Sequence, residues 1–226
     1  MKTIRVKKGY NLKTVGSPST ASQMTERPVY LAMLPEHIPV VKPRVKVAKG
    51  DRGAIGSPSL AAKRHPDRHV RSPGGGRVID IRFGPRRVIQ EIVIQLDDTE
   101  KAIEFERYNQ ADVDKMSREQ LIQALVSGGL WPLVKELPFR DCARPDVVPP
   151  ALFVRLDNLE PFHPSPQVYL PGNEALFQFG IHVLKKLVET PVYIYRCLSD
   201  IDLPSAFEGL INLTYTGNYP AHDPGV

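Results

Sequence analysis

ALFVRLDNLEPFHPSPQVYLPGNEALFQFGIHVLKKLVETPVYIY, residues 151–195, decides the fold class of the second half of this 226-residue chain. Its opening, Ala151-Leu152-Phe153-Val154-Arg155-Leu156, is a short apolar run of strand length. Its middle, Asn173 to Glu189, places Leu176, Phe177, Gly180, Ile181, Val183, Leu184 and Leu187 at helical spacing. Asn173 stands where an N-cap belongs, and Pro191 lies beyond the end. Its close, Val192-Tyr193-Ile194-Tyr195, is a β-branched and aromatic strand. Strand, crossover helix and strand form a βαβ unit, whose strands are parallel and whose crossover is right-handed in nearly all cases. Leu210 to Tyr215 reads as a third strand following directly. The expectation is an incomplete Rossmann-like α/β sheet domain over 151–226, with the sequence reading as truncated in the Pro/Gly loop that ends at Gly225-Val226.

Working backward, the pattern changes. Only one other segment reads as helix: Ser117-Arg118-Glu119-Gln120 has the form of a capping box, Leu121, Ile122, Ala124 and Leu125 follow at helical spacing, and Gly128-Gly129 stops the run. Between Val45 and Leu96 the elements are short β segments: Val45-Lys46-Val47, a Gly50-Asp51 turn, Gly56 with Pro58, Val70, a Ser72-Pro73-Gly74-Gly75-Gly76 turn, Val78 to Ile81, Val88-Ile89, and Ile92 to Leu96. Turn residues this closely spaced imply a small, strongly curved β module. The spacing VKVAKGD…GSPSL…SPGGGRVIDI resembles the barrel-sandwich fold of biotinyl and lipoyl domains. The organisation is therefore an N-terminal β segment (1–40), a barrel-sandwich hybrid module (41–98), a helical connector (99–150) and the α/β domain (151–226), a mixed α+β and α/β chain.

Composition bounds the function. The chain has 42% apolar residues, 22 prolines and two cysteines. Cys142 and Cys197 are too few for a disulfide framework or a four-ligand zinc site. No run approaches the roughly 18 apolar residues of a membrane span, and MKTIRVKKGY has charges where a signal peptide needs its apolar core. Any membrane contact is peripheral. The charge is uneven: residues 1–100 carry 19 Lys/Arg against 9 Asp/Glu (+10), and residues 101–226 carry 11 against 16 (−5). A basic half suits an anionic membrane surface, an acidic partner or plain solvation; without interleaved aromatics or a binding motif, nucleic acid is not expected as a partner.

The residues that carry chemistry elsewhere lack their context here. Lys63 lies near where a carrier domain presents its modified lysine, but its neighbours Ala62 and Arg64 are not a carrier's motif. The Gly74-Gly75-Gly76 run lacks the trailing Gly-Lys-Ser/Thr of a phosphate loop, and a strand follows it instead of a helix, so a sharp turn explains it better. His65 and His69 have ligand spacing only on a helix, which Pro66 opposes. His163 has no ligand-spaced partner, and His182 falls on the long helix between Ile181 and Val183. There is no nucleophile elbow and no G-x-G-x-x-G after the Ala151 strand. No catalytic residue and no metal ligand is expected. Two long polar loops leave the carboxyl ends of strands, where open α/β sheets bind ligands: Asp157-Asn158-Leu159-Glu160-Pro161-Phe162, and Thr216 to Gly225. The candidate contact residues are Asp157, Asn158, Tyr219, His222 and Asp223. They serve either a ligand or an interface, and the two acids oppose a phosphate.

Ile4-Arg5-Val6-Lys7-Lys8-Gly9, the barrel-sandwich stretch, Gly84-Pro85-Arg86-Arg87-Val88-Ile89-Gln90, Gly129-Leu130-Trp131 ahead of Pro138-Phe139, and above all Gly217-Asn218-Tyr219-Pro220-Ala221-His222-Asp223-Pro224-Gly225 together resemble the A subunit of the Na+-translocating NADH:quinone reductase. Leu137 before Pro138, Tyr219 and His222 depart from the family's commonest residues. The resemblance implies a peripheral subunit on the cytoplasmic face of the bacterial inner membrane, docked to the other subunits, especially the membrane-embedded B subunit, and to the membrane surface. It implies ubiquinone as the substrate of the complex, with FMN, FAD and the 2Fe–2S centre on other subunits and no tightly bound cofactor here. A component like the C subunit of the Rnf electron-transport complex, which shares the module order, and a free biotinyl or lipoyl carrier are the alternatives.

Overall fold

A computed structural model of the chain describes residues 2–16, 18–37, 43–62, 69–157, 160, 162–198 and 205–225. Lys63, His65, Asn158, Leu159 and Pro161 lie outside the described residues. The first half runs β1 (Lys2–Arg5), β2 (Tyr30–Met33), β3 (Pro43–Val45), β4 (Arg52–Gly53), β5 (Pro58–Ala62), β6 (His69–Arg71), β7 (Gly76–Phe83) and β8 (Ile89–Leu96). The second runs α1 (Gln110–Lys115), α2 (Arg118–Ser127), β9 (Lys135–Glu136), β10 (Asp141–Cys142), β11 (Leu152–Arg155), α3 (Pro166–Tyr169), α4 (Glu174–Leu187), β12 (Val192–Cys197), α5 (Ser205–Glu208) and β13 (Leu213–Thr216). The chain divides into two compact units: Met1–Met24, Gln110–Arg118 and Val147–Val226 form one, Thr25–Asn109 and Glu119–Asp146 the other. The 99–150 connector is thus shared between the units rather than standing alone.

The Thr25–Asn109 part is the barrel-sandwich hybrid. Its two antiparallel sheets have the orders β2-β8-β7-β4 and β3-β5-β6. Alternation along the strands aims Met33, Leu60, Val78, Ile92 and Ile94 into one core, with Leu31, Val45, Val70, Ile81 and Leu96 packed around it. Each fully buried aliphatic side chain contributes about 1.5–3 kcal/mol. The Gly50-Asp51 turn forms as expected: Asp51 accepts the Ala48 amide at 2.7 Å, and Gly50 N–H reaches the Val78 carbonyl at 2.7 Å. Register shifts at Val78/Asp80 and Arg82/Phe83 bend the β7–β8 ribbon. The structure corrects three details. β8 is one continuous strand where two were expected, β5 was not anticipated because Pro58 and Ser59 mask its pattern, and β2 pairs with β8 although it lies upstream of residue 41.

The α/β unit is a four-stranded, wholly parallel sheet of order β1-β13-β12-β11. β11, α4 and β12 sit where the sequence places them. The first strand of the chain is not a separate segment: Lys2–Arg5 pairs with Leu213–Thr216 as an edge of this sheet. A short helix, α5, precedes β13, so the third strand does not follow directly. β13 also starts at Leu213 rather than at residue 210. Asn212 explains this, because its side chain takes the Ile194 amide at 2.9 Å and donates to the Val192 carbonyl at 2.8 Å, occupying the edge of β12 before the backbone ladder begins. Asn173 holds the N-cap position without a capping bond, and its amide donates to the Tyr169 carbonyl instead. His182 on α4 pairs with Asp114 of α1 at 2.8 Å. Beside α4, the short helices α1, α3 and α5 join the two that the periodicity revealed.

Candidate functional site

Period-two alternation puts Tyr193, Tyr195 and Cys197 of β12 on one face of the sheet with Leu213 and Tyr215 of β13, and these form a second buried cluster. Phe153 of β11 stacks on Tyr193 at 5.3 Å and meets Tyr195 edge-on at 6.1 Å. Tyr195 meets Tyr215 at 5.9 Å. The carboxyl ends of the strands carry the polar groups.

A closed ring of contacts joins them. Tyr215 Oη donates to Asp157 Oδ2 at 2.8 Å, and Asp157 Oδ1 lies 3.6 Å from Arg155 Nε. Arg155 Nη1 reaches Glu160 Oε1 at 3.5 Å, and the same oxygen lies 2.9 Å from His222 Nε2. Tyr195 Oη closes the ring by donating to the backbone carbonyl of His222 at 2.7 Å. Asp157 and His222 are 2% and 1% exposed, while the Arg155 and Glu160 side chains between them reach the surface in part. His222 Nδ1 is buried and has no hydrogen-bond partner among the described residues. Burial, reinforced by the adjacent Asp157 carboxylate, pushes the Tyr215 phenol above its usual range, so it remains a donor at physiological pH. Burial alone raises the Glu160 carboxyl, but the charges and hydrogen bonds of His222 and Arg155 outweigh it, and the net shift is downward.

The N-terminal segment holds the second loop in place. Val6 N–H donates to the Thr216 carbonyl and Tyr10 N–H to the Tyr219 carbonyl, each at 2.8 Å, while Asn11 Oδ1 accepts the Tyr219 amide at 2.8 Å. Of the residues expected at the site, Asp157 and His222 are brought together through Arg155 and Glu160. The Tyr219 ring packs on His222 at 5.1 Å. Asp223 Oδ1 accepts the Gly225 amide at 2.9 Å within its own turn. Sequence reasoning did not single out Arg155, Glu160, Tyr195, Tyr215, Tyr10 or Asn11. The alternation of Arg155 with Asp157, two residues apart at the end of a strand and therefore on one face, was the available signal.

Of the other sequence candidates, Lys63 and His65 lie outside the described residues, and the glycine run is engaged locally. The Gly75 amide of the glycine run donates to Glu100 Oε1 at 2.6 Å. That bond, with Arg27 beside it, holds the Glu100 carboxyl below the usual range. Among the described residues no group of three or more His, Cys, Asp or Glu is arranged to hold a metal ion. No helix among them is long and apolar enough to cross a membrane.

A barrel-sandwich hybrid combined with an α/β domain, whose polar residues gather at the carboxyl ends of parallel strands, defines a class of two-module α+β protein. Two family descriptions match in that order: the NqrA N-terminal barrel-sandwich hybrid domain over residues 4–97 and the NqrA second alpha/beta domain over residues 116–226. The chain belongs to the NqrA family, the A subunit of the Na+-translocating NADH-quinone reductase. Relatives bearing that name include proteins of Actinobacillus pleuropneumoniae, 32% identical over 96% of this chain and 49% of the relative, and of Alcanivorax borkumensis, 30% identical over 98% and 50%. One from Pseudomonas aeruginosa is 30% identical over 98% of this chain and 49% of the relative. The chain spans about half the length of the curated relatives it matches.

Proposed function

We propose that this chain is a docking component of a sodium-pumping NADH:quinone oxidoreductase in a bacterial respiratory chain. It sits on the cytoplasmic face of the inner membrane, held by the other pump subunits, the membrane-embedded B subunit foremost, and by the membrane surface. Ubiquinone is the substrate of the complex, and FMN, FAD and the 2Fe–2S centre are carried elsewhere in it. The observation that carries this reading is the match of both modules, in order, to one subunit family. The ring at the strand ends supports docking over catalysis, because Asp157, Glu160, Arg155 and Tyr215 are spent on one another.

A quinone contact, where there is one, belongs to the same loops, with Asp157, Asn158, Tyr219, His222 and Asp223 as its residues. Glu160 engages His222 Nε2, so Nδ1 is the ring nitrogen left to offer. Asp157 and Asp223 oppose the phosphate of FMN, and no Gly-rich helix start offsets them. Titration of the purified chain with FMN and with a short-chain quinone separates these ligands. The expected result is weak or no quinone binding and no tight FMN binding. Stoichiometric FMN uptake at submicromolar Kd, about −8 kcal/mol or tighter, would refute it.

A further inference from the structure

The hairpin between β7 and β8 ends in a turn whose chemistry runs against its geometry. Val88 N–H returns to the Pro85 carbonyl at 3.2 Å, and Gly84 N–H reaches the Val88 carbonyl at 2.7 Å. The two central residues, Arg86 and Arg87, both have φ of 57°. Positive φ at both central positions is a type I′ turn, the geometry that suits the twist of a two-stranded ribbon and that favours Asn-Gly. Arg-Arg is a costly occupant, and a local rule broken at an exposed tip is a sign of function.

The surroundings say what that function is. Arg82, at the base of the tip, is matched by Asp80 and Glu91, and Lys49 also faces Asp80. Arg86 and Arg87 have no hydrogen-bond or ion-pair partner among the described residues, and both are exposed. No acidic residue falls between Phe83 and Gln90. Phe83 and Val88, which flank the turn, are 50% and 62% exposed. A projecting tip with two unmatched guanidinium groups between two exposed apolar side chains matches an anionic bilayer surface, where the cations meet phosphates and the apolar groups enter the acyl boundary. An acidic groove of a protein partner would use the cations but leaves Phe83 and Val88 without a purpose.

We propose that the Phe83–Val88 tip is a membrane-surface contact that binds anionic phospholipid headgroups. It deepens the docking reading and rests on it for its setting. The test uses protein-free vesicles, so its failure and the failure of subunit docking are distinguishable.

The full chain is sedimented with vesicles of phosphatidylcholine alone and of phosphatidylcholine with phosphatidylglycerol in equal parts. Binding is expected only to the anionic vesicles, and it should fall at high salt. Replacing Arg86 and Arg87 by Asn and Gly (R86N/R87G) gives the turn its preferred residues, so the variant should melt at or above the wild-type temperature while binding falls about 25-fold, roughly fivefold per lost charge. Phe83→Ala should weaken binding without changing its salt dependence. Replacing the equally exposed Lys7 and Lys8 by Gln should leave binding at the wild-type level. No preference for anionic vesicles, wild-type binding by R86N/R87G, or an equal loss from Lys7 and Lys8 would overturn the proposal.

Discussion

A methyl group on residue 76 would stand 2.0 Å from the carbonyl oxygen of Gln95, inside the β7–β8 ladder, where backbone cannot withdraw. Gly76→Ala is therefore expected to cost about 3 kcal/mol or more, at the upper end of overpacking. At roughly 2–4 °C per kcal/mol in a chain of this size, the loss is plain in a thermal melt. At the other module, Glu160 titrates below its ordinary range because His222 and Arg155 outweigh its burial. A depressed folded value means that its contribution is fully present above the unfolded value and disappears as pH falls through the folded one. The stability gap between wild type and Glu160→Gln should thus be present above the ordinary carboxylate range and close below about pH 4. Melting curves of both proteins across that range give the gap directly; a gap that persists in acid would show that the Glu160 charge plays no part.

Element by element, the α4 helix offers the cleanest test of local propensity. Gly180 sits inside Glu174–Leu187, and a Cβ added there would meet nothing within 4 Å. Gly180→Ala should raise stability by about 0.5–1 kcal/mol, read from chemical denaturation. A loss of stability would mean that α4 needs the glycine for packing. The same helix shows what was legible beforehand: six apolar side chains and Gly180 at one spacing, with an Asn at the start, located it within two residues. β1 was legible as a strand but not as part of this sheet, since Lys2–Arg5 is exposed throughout and its pairing with residues more than 200 positions away leaves no local trace. β13 was blurred by Asn212, whose side chain stands in for backbone at the edge of β12, and β5 by Pro58 and Ser59, which hide its strand pattern. At the candidate site the loops were legible from their length and position. The ring was not, because Tyr195, Tyr215, Arg155 and Glu160 come from four places that only the parallel register unites.

For the whole molecule, two modules match one subunit family in order, residues 4–97 and 116–226. Residues 1–100 carry a net charge of +10 and residues 101–226 a net charge of −5, so the positive charge gathers in the first hundred residues, which include most of the barrel-sandwich hybrid. Docking to other pump subunits is the central claim, and detergent extraction isolates it from any direct contact with lipid. The decisive measurement is co-purification of the tagged chain from detergent-solubilised membranes of a bacterium that expresses the pump. Retention of the other subunits in stoichiometric amounts, the membrane-embedded B subunit among them, is the predicted result; recovery of the chain alone, from an extract in which those subunits are present and intact, would contradict it.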